Sequence, residues 1–177
     1  PPTPHPAHHL SGPGRPSGCR SRQLRESARH DGGSVILLDV NVLVYAHREE
    51  AERHKEYRSW LEAQLDSAIG CAVSALTLSG CLRIITHPRV FNPPTPIERA
   101  TAFVSELREH EQLVVLAPGP RHWQIFLDLC RRSGARGNLV ADAYHAALAL
   151  ETGAEWITTD RDYARFPGVR CRHPLDE

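Results

Sequence analysis

At 177 residues, 41% of them hydrophobic and 24% charged, the chain is long enough for one domain with a real core and too short to expect two. Formal net charge is zero, but Arg15, Arg20, Arg22, Arg25 and Arg29 stand against only Glu26 and Asp31 in residues 1–34, which leaves the remainder mildly acidic. That excludes a broad basic surface gripping nucleic acid by charge alone, and leaves room for a basic rim around an acidic pocket. The five cysteines (Cys19, Cys71, Cys81, Cys130 and Cys171) form no C-x-x-C pair, so reduced thiols are expected, with neither a zinc site nor a disulfide framework. No apolar run approaches the roughly 18 residues of a membrane span, and the start has no apolar signal-peptide core. The expectation is a soluble, cytoplasmic protein with no membrane partner.

In chain order, residues 1–34 hold Pro1, Pro2, Pro4, Pro6, Pro13 and Pro16 and few apolar side chains, a composition that cannot offset the entropy of ordering. They read as a disordered extension that is not native, with the natural product beginning at or near Val35 on a valine start codon and a single domain over 35–177. From Val35 short apolar runs alternate with amphipathic stretches, the pattern of an α/β fold with a parallel sheet. Val35 to Asp39 is the first strand, followed by a helix from about Asn41. Glu50 to Leu65 is helical by period, with Tyr57, Trp60, Leu61 and Leu65 on one face. "CAVS" (71–74) is a second strand, and Ser74 or Thr77 caps a helix that Pro88 stops. Thr95-Pro96 opens a helix to about His110, "LVVL" (113–116) is the third strand, and Arg121 to Arg132 is helical. Leu139 to Thr152 forms a further helix with Val140, Ala143, Tyr144, Ala147 and Leu148 as its buried stripe. "EWITT" (155–159) and a weak "GVRC" (168–171) complete the sheet. Trp60, Trp123 and Trp156 read as packing residues, not base-stacking platforms.

Carboxylates gather at one edge of this sheet. Asp39 closes strand one, Asp160 and Asp162 follow strand four in "TTDRD", and Asp142 lies in the first turn of the helix feeding that strand, opposite Val140 and Ala147. Ligands of open parallel sheets sit at the carboxyl ends of the strands. Two carboxylates about 4 Å apart repel by roughly 4 kcal/mol at an effective dielectric near 20, a cost that a hard divalent cation removes. Oxygen-only ligands suit Mg²⁺, with Mn²⁺ as a substitute. Asn41 can add a neutral oxygen or hold Asp39 in place. Singly, each acid could instead be a helix cap or turn residue; capping gives no reason for all of them to share one edge.

Three segments, "ILLDVNVLVYA" (36–46), "LRIITHPRVF" (82–91) and "GNLVADAYHAALALETGAEWITTDRDYARFPGVR" (137–170), resemble the PIN-domain ribonucleases, specifically VapC-type toxins of bacterial toxin–antitoxin pairs. The resemblance implies a three-layer α/β/α fold with a central parallel sheet, and a Mg²⁺-dependent endoribonuclease that cleaves structured cellular RNA (tRNA or rRNA). It also implies a homodimer inhibited by a small cognate antitoxin. Carried over by position, Asp39, Asp142 and Asp160 are catalytic metal ligands, with Asp162 an added acid and a fourth expected metal ligand. One departure stands out: many relatives carry a Glu shortly before the "LR" element, and this chain has Gly80 there, with no acid anywhere in "SALTLSGCLRIITH" (74–87). Asp162 can restore one charge; otherwise the chain is a catalytically impaired module that binds RNA or protein. Arg83 and His87, one helical turn apart, are candidate substrate contacts, and Arg131, Arg132 and Arg136 are weaker ones. His145 reads as structural. Phosphoaspartyl enzymes fit less well, because position 41 is Asn and the sole lysine is Lys55, and no glycine-rich loop follows strand one to hold a nucleotide.

Overall fold

The computed structural model describes residues 35–67 and 70–176; the stretch 1–34, expected to be a non-native tail, lies outside them. Five short strands form one parallel sheet: β1 (Ile36–Leu38), β2 (Cys71–Ser74), β3 (Leu113–Leu116), β4 (Glu155–Ile157) and β5 (Cys171–Arg172), in spatial order β3-β2-β1-β4-β5. Six helices flank it: α1 (Val40–His47), α2 (His54–Leu65), α3 (Ala75–Ile85), α4 (Ile97–Glu109), α5 (His122–Ser133) and α6 (Asn138–Thr152). The α/β class, the parallel sheet and the three-layer arrangement match expectation.

The layering follows from the two-residue period of a strand. In β1, Ile36 and Leu38 point into a core shared with α1 to α4, while Leu37 joins Ala72 and Trp156 in a second core beneath α5 and α6. A strand covered on both faces reads as an unbroken apolar run, which is why "ILL" shows no alternation. The chain steps outward from β1 to β2 and β3, then returns to place β4 on the other side of β1. The switch point therefore lies between β1 and β4, the place where open parallel sheets bind ligands at the strands' carboxyl ends. At the end of α6, Gly153 adopts φ 71°, a left-handed conformation that stops the helix and turns the chain into β4.

α1 is held at both ends. Asp39 caps its start. At its close, buried Arg48 donates to Thr95 Oγ1 at 2.6 Å and to the Pro93 carbonyl at 2.9 Å, pairs with Glu50 and lies over the Phe91 ring.

Several side chains depart from the periodic reading. α6 is buried on Ala143, His145, Ala146, Ala147, Leu148 and Ala149, a band wider than one stripe, because it is wedged between the sheet and α5 and its alanines permit close approach on more than one side. Val140, assigned to the buried face, is 37% exposed in the first turn of α6, whose buried residues begin at Ala143. Trp123 is 62% exposed on α5, whose core side is filled by His122, Phe126 and Leu129; Trp156 is fully buried as expected. α3 ends at Ile85, so Arg83 lies in its last turn and His87 beyond it, with the His87 ring nitrogen Nδ1 accepting from the Arg89 amide at 3.1 Å.

Gly80 has a packing explanation. A Cβ built there would lie 2.9 Å from Val40 Cγ2, so the glycine lets α3 seat against the first residue of α1. Val is stiff at χ1 and yields little. Gly80→Ala is expected to lower unfolding free energy by about 1–3 kcal/mol in urea titration, and adding Val40→Ala should recover most of that loss. Equal losses in the single and double variants would show that the contact is not what position 80 protects.

Candidate active site

The site is built where β1 and β4 end side by side. Leu38 is in register with Ile157, and the Asp39 amide continues the ladder to the Ile157 carbonyl at 3.0 Å, so Asp39 and Thr158 emerge as neighbours. The Asp39 backbone is extended and its Oδ1 accepts from the Val40 amide at 2.6 Å, capping α1. Its Oδ2 accepts from Thr158 Oγ1 at 2.5 Å and from Asn41 Nδ2 at 3.0 Å. Thr158 Oγ1 in turn accepts from the Asp160 amide at 2.9 Å, and Asn41 Oδ1 accepts from the Thr159 amide at 3.4 Å. One buried carboxylate thereby ties the start of α1 to the loop after β4.

The other acids line this edge with fewer ties. Asp160 is exposed and starts the short 3-10 turn Arg161–Arg165; its Oδ1 accepts from the Asp162 amide at 2.8 Å. Asp162 is exposed and faces Arg165 Nε at 3.2 Å. Asp142 is half-buried in the early part of α6, against which the turn packs, and none of the hydrogen bonds among the described residues engages its carboxylate.

Electrostatics join the group. Burial pushes the Asp39 carboxyl up to about 6; the bonds from Thr158 and Val40 pull the other way, and the charges of Asp142 and Asp160 add to the rise. Asp142 is also pushed up to about 6, first by burial and then by the charges of Asp160 and Asp162. The four aspartates singled out in the sequence thus occupy one field.

Asn41 sits beside Asp39 as expected. No hydrogen bond or ion pair connects Arg83 or His87 to the carboxylates among the described residues. His145 is buried and stacked on Trp156, ring centroids 5.4 Å apart, a packing position. Thr158 is the participant the sequence reading missed. Its signal was present: once β1 and β4 are aligned at their ends, the residue opposite Asp39 is the second residue before Asp160.

Among the described residues no three His, Cys, Asp or Glu side chains converge closely enough to hold a metal ion as a ready-made cage. Mg²⁺ seldom needs one: it usually takes one or two carboxylates and keeps several waters, completing its shell with substrate phosphate. The all-oxygen donor set, with Asp142 free of hydrogen bonds and with burial and then repulsion raising both inner acids, fits an ion of that kind.

The PIN domain family model matches residues 36–169. The chain belongs to the PIN-domain family. Ribonuclease VapC43 of Mycobacterium tuberculosis is 44% identical over 144 residues, covering 80% of this chain and 97% of that protein. Ribonuclease VapC25 of the same organism is 36% identical over 140 residues, 79% of this chain and 99% of that one. A solved structure, VapBC2 from Rickettsia felis bound to a DNA fragment from their promoter, shares the fold with TM-score 0.59 at 17% identity, over 78% of this chain and 98% of that chain. The matched span of this PIN domain contains Asp39, Asp142, Asp160 and Asp162.

Both inner acids titrate above the ordinary carboxyl value of 3.8, so the folded PIN domain holds these protons more tightly than the unfolded chain. Their effect is a loss of stability as pH rises from about 4 to about 6. In EDTA, Asp142→Asn is therefore expected to melt several degrees above the parent at about pH 7.5, with the gap closing near pH 4.5. Thermal denaturation at both values checks this; a gap that is independent of pH would contradict the raised Asp142 value.

Proposed function

We propose that this chain is a metal-dependent endoribonuclease toxin of the VapC type that cuts structured cellular RNA, tRNA or rRNA. In this reading it acts in the cytoplasm as a homodimer and is held inactive by a small cognate antitoxin. The observation that carries the reading is the placement of Asp39, Asp142 and Asp160 in one electrostatic field at the β1–β4 switch point. Kinship with proteins named VapC ribonucleases supports the reaction class, and the VapBC structure sharing the fold supports a partner antitoxin. No helix among the described residues is long and apolar enough to cross a membrane, and Cys71, Cys81, Cys130 and Cys171 are free thiols, which agrees with a reducing compartment.

Asp39, Asp142 and Asp160 would hold Mg²⁺ or Mn²⁺, with Asp162 supporting through charge. Bound there, the ion would shield the phosphate and lower the pKa of a coordinated water. The chain's own part is orientation. Thr158 and Asn41 fix the Asp39 carboxylate, and the Val40 amide holds it at the mouth of the crevice instead of in the core. Asp142, unbonded, is free to meet an incoming ligand. Arg83 and His87 remain candidate substrate contacts from farther along α3 and the loop after it. Gly80 leaves α3 without an acid, so the site works with the two inner acids, with Asp160 and Asp162 beside them, and a largely hydrated ion. If that is insufficient, the chain is a module that binds RNA or protein without cutting it.

Purified full-length protein with Mg²⁺ or Mn²⁺ is expected to cut total bacterial RNA into a discrete product by end-mapping. EDTA and Asp142→Asn should each abolish that product, and Mg²⁺ should raise the melting temperature of the parent more than that of the variant. Folded, antitoxin-free protein that leaves RNA intact with either metal would overturn the nuclease reading in favour of the binding module.

A further inference from the structure

An acidic centre repels the polymer it is proposed to cut. A cation at that centre answers for the scissile phosphate alone; the phosphates on either side need their own partners. The arrangement of α5 and α6 shows where those partners stand.

The two helices run antiparallel. Near the start of α5, the Gly119 and Arg121 amides donate to Glu151, close to the end of α6, at 2.7 and 2.9 Å, and His122 Nε2 meets the Tyr144 carbonyl at 2.9 Å. The opposite end of α5, with Arg131 and Arg132, therefore lies beside the first turns of α6 and Asp142. Arg136 occupies the intervening turn. Arg161 lies between Asp160 and Asp162 in sequence, in the 3-10 turn packed on α6.

The state of these side chains is informative. Arg136 and Arg161 are exposed, and neither side chain has a hydrogen bond or ion pair among the described residues. Arg131 and Arg132 share Asp128 at 3.9 and 3.5 Å, long contacts between exposed groups that contribute little and release easily. The approach is open: a Cβ at Gly134 or Gly137 would meet nothing within 4 Å. Arg48, Arg53, Arg58, Arg165 and Arg172 are engaged with carboxylates of the protein. Arg83, Arg89, Arg99 and Arg108 are not, among the described residues, and what distinguishes Arg136 and Arg161 from them is their place beside the elements that carry Asp142 and Asp160.

We propose that Arg136 and Arg161 bind the RNA phosphates on either side of the one that is cut, with Arg131 and Arg132 extending the path along the end of α5. This places an RNA track over the α5–α6 turn, beside the candidate contacts on α3, and it rests on the nuclease reading above. Guanidinium forks suit phosphate in both charge and geometry.

The test uses the full chain in two assays. Cleavage of total RNA is timed for the parent, Arg136→Gln, Arg161→Gln, the double variant and Arg108→Gln, the last lying at the far end of α4. Binding of a fluorescein-labelled uridine oligonucleotide is followed by anisotropy across a salt series, with each change placed in the Asp142→Asn chain to prevent turnover. Arg136→Gln and Arg161→Gln are expected to raise KM several-fold with kcat nearly unchanged. Each should also reduce the slope of log affinity against log salt by about 0.7, the value for one phosphate contact on a single strand. Arg108→Gln should change neither. Unchanged KM and slope in the double variant, or an equal loss in Arg108→Gln, would overturn this track while leaving the nuclease reading intact. A parent that neither binds nor cuts RNA would overturn both.

Discussion

The hydrogen bond from the Thr158 hydroxyl to the Asp39 carboxylate spans the gap between the central strand and the strand that returns to its other side. Much of the site depends on it. A carboxylate pulled from water next to an apolar strand end is costly unless its oxygens are satisfied, and here Val40, Asn41 and Thr158 satisfy them together. The same hydroxyl accepts from the Asp160 amide, so one side chain sets both the inner acid and the start of the turn that carries the outer ones. Parallel register makes this possible, since Leu38 opposite Ile157 delivers the next residue of each strand to the same point.

The sheet was legible because its strands are short apolar runs separated by helical periods, and because a central strand buried on both faces has no polar alternation to blur it. The acids were legible for a related reason: each directly follows a strand or opens a helix, places where a charge needs an explanation. Family resemblance then ordered them. Asp39, Asn41, Asp142, Asp160 and Asp162 do share one edge of the fold.

What sequence reading missed was set by packing between elements. Periodicity gives one stripe per helix, and α6 buries more than a stripe because alanine lets neighbours close in on several sides; the same reasoning misplaced Val140, which is exposed in the first turn ahead of the buried residues. Trp123 followed the α5 stripe in sequence, but His122, Phe126 and Leu129 occupy the inner side. Thr158 escaped notice because threonine at a strand end is ordinary until the partner strand is known. Gly80 invited a reading through its missing acid, whereas its immediate neighbour is Val40, and the space belongs to helix packing.

The two inner aspartates differ in what keeps them in the chain. Asp39 caps a helix and bonds across the sheet, so its loss would be felt by the fold whether or not any reaction took place. Asp142 caps nothing, accepts no hydrogen bond among the described residues, and sits where burial and neighbouring charge disfavour its ionised form. Drift under selection for folding alone would be free to replace it with a neutral residue and gain stability in doing so. Asp142 thus adds to the charge at the strand ends and nothing to the hold of the fold.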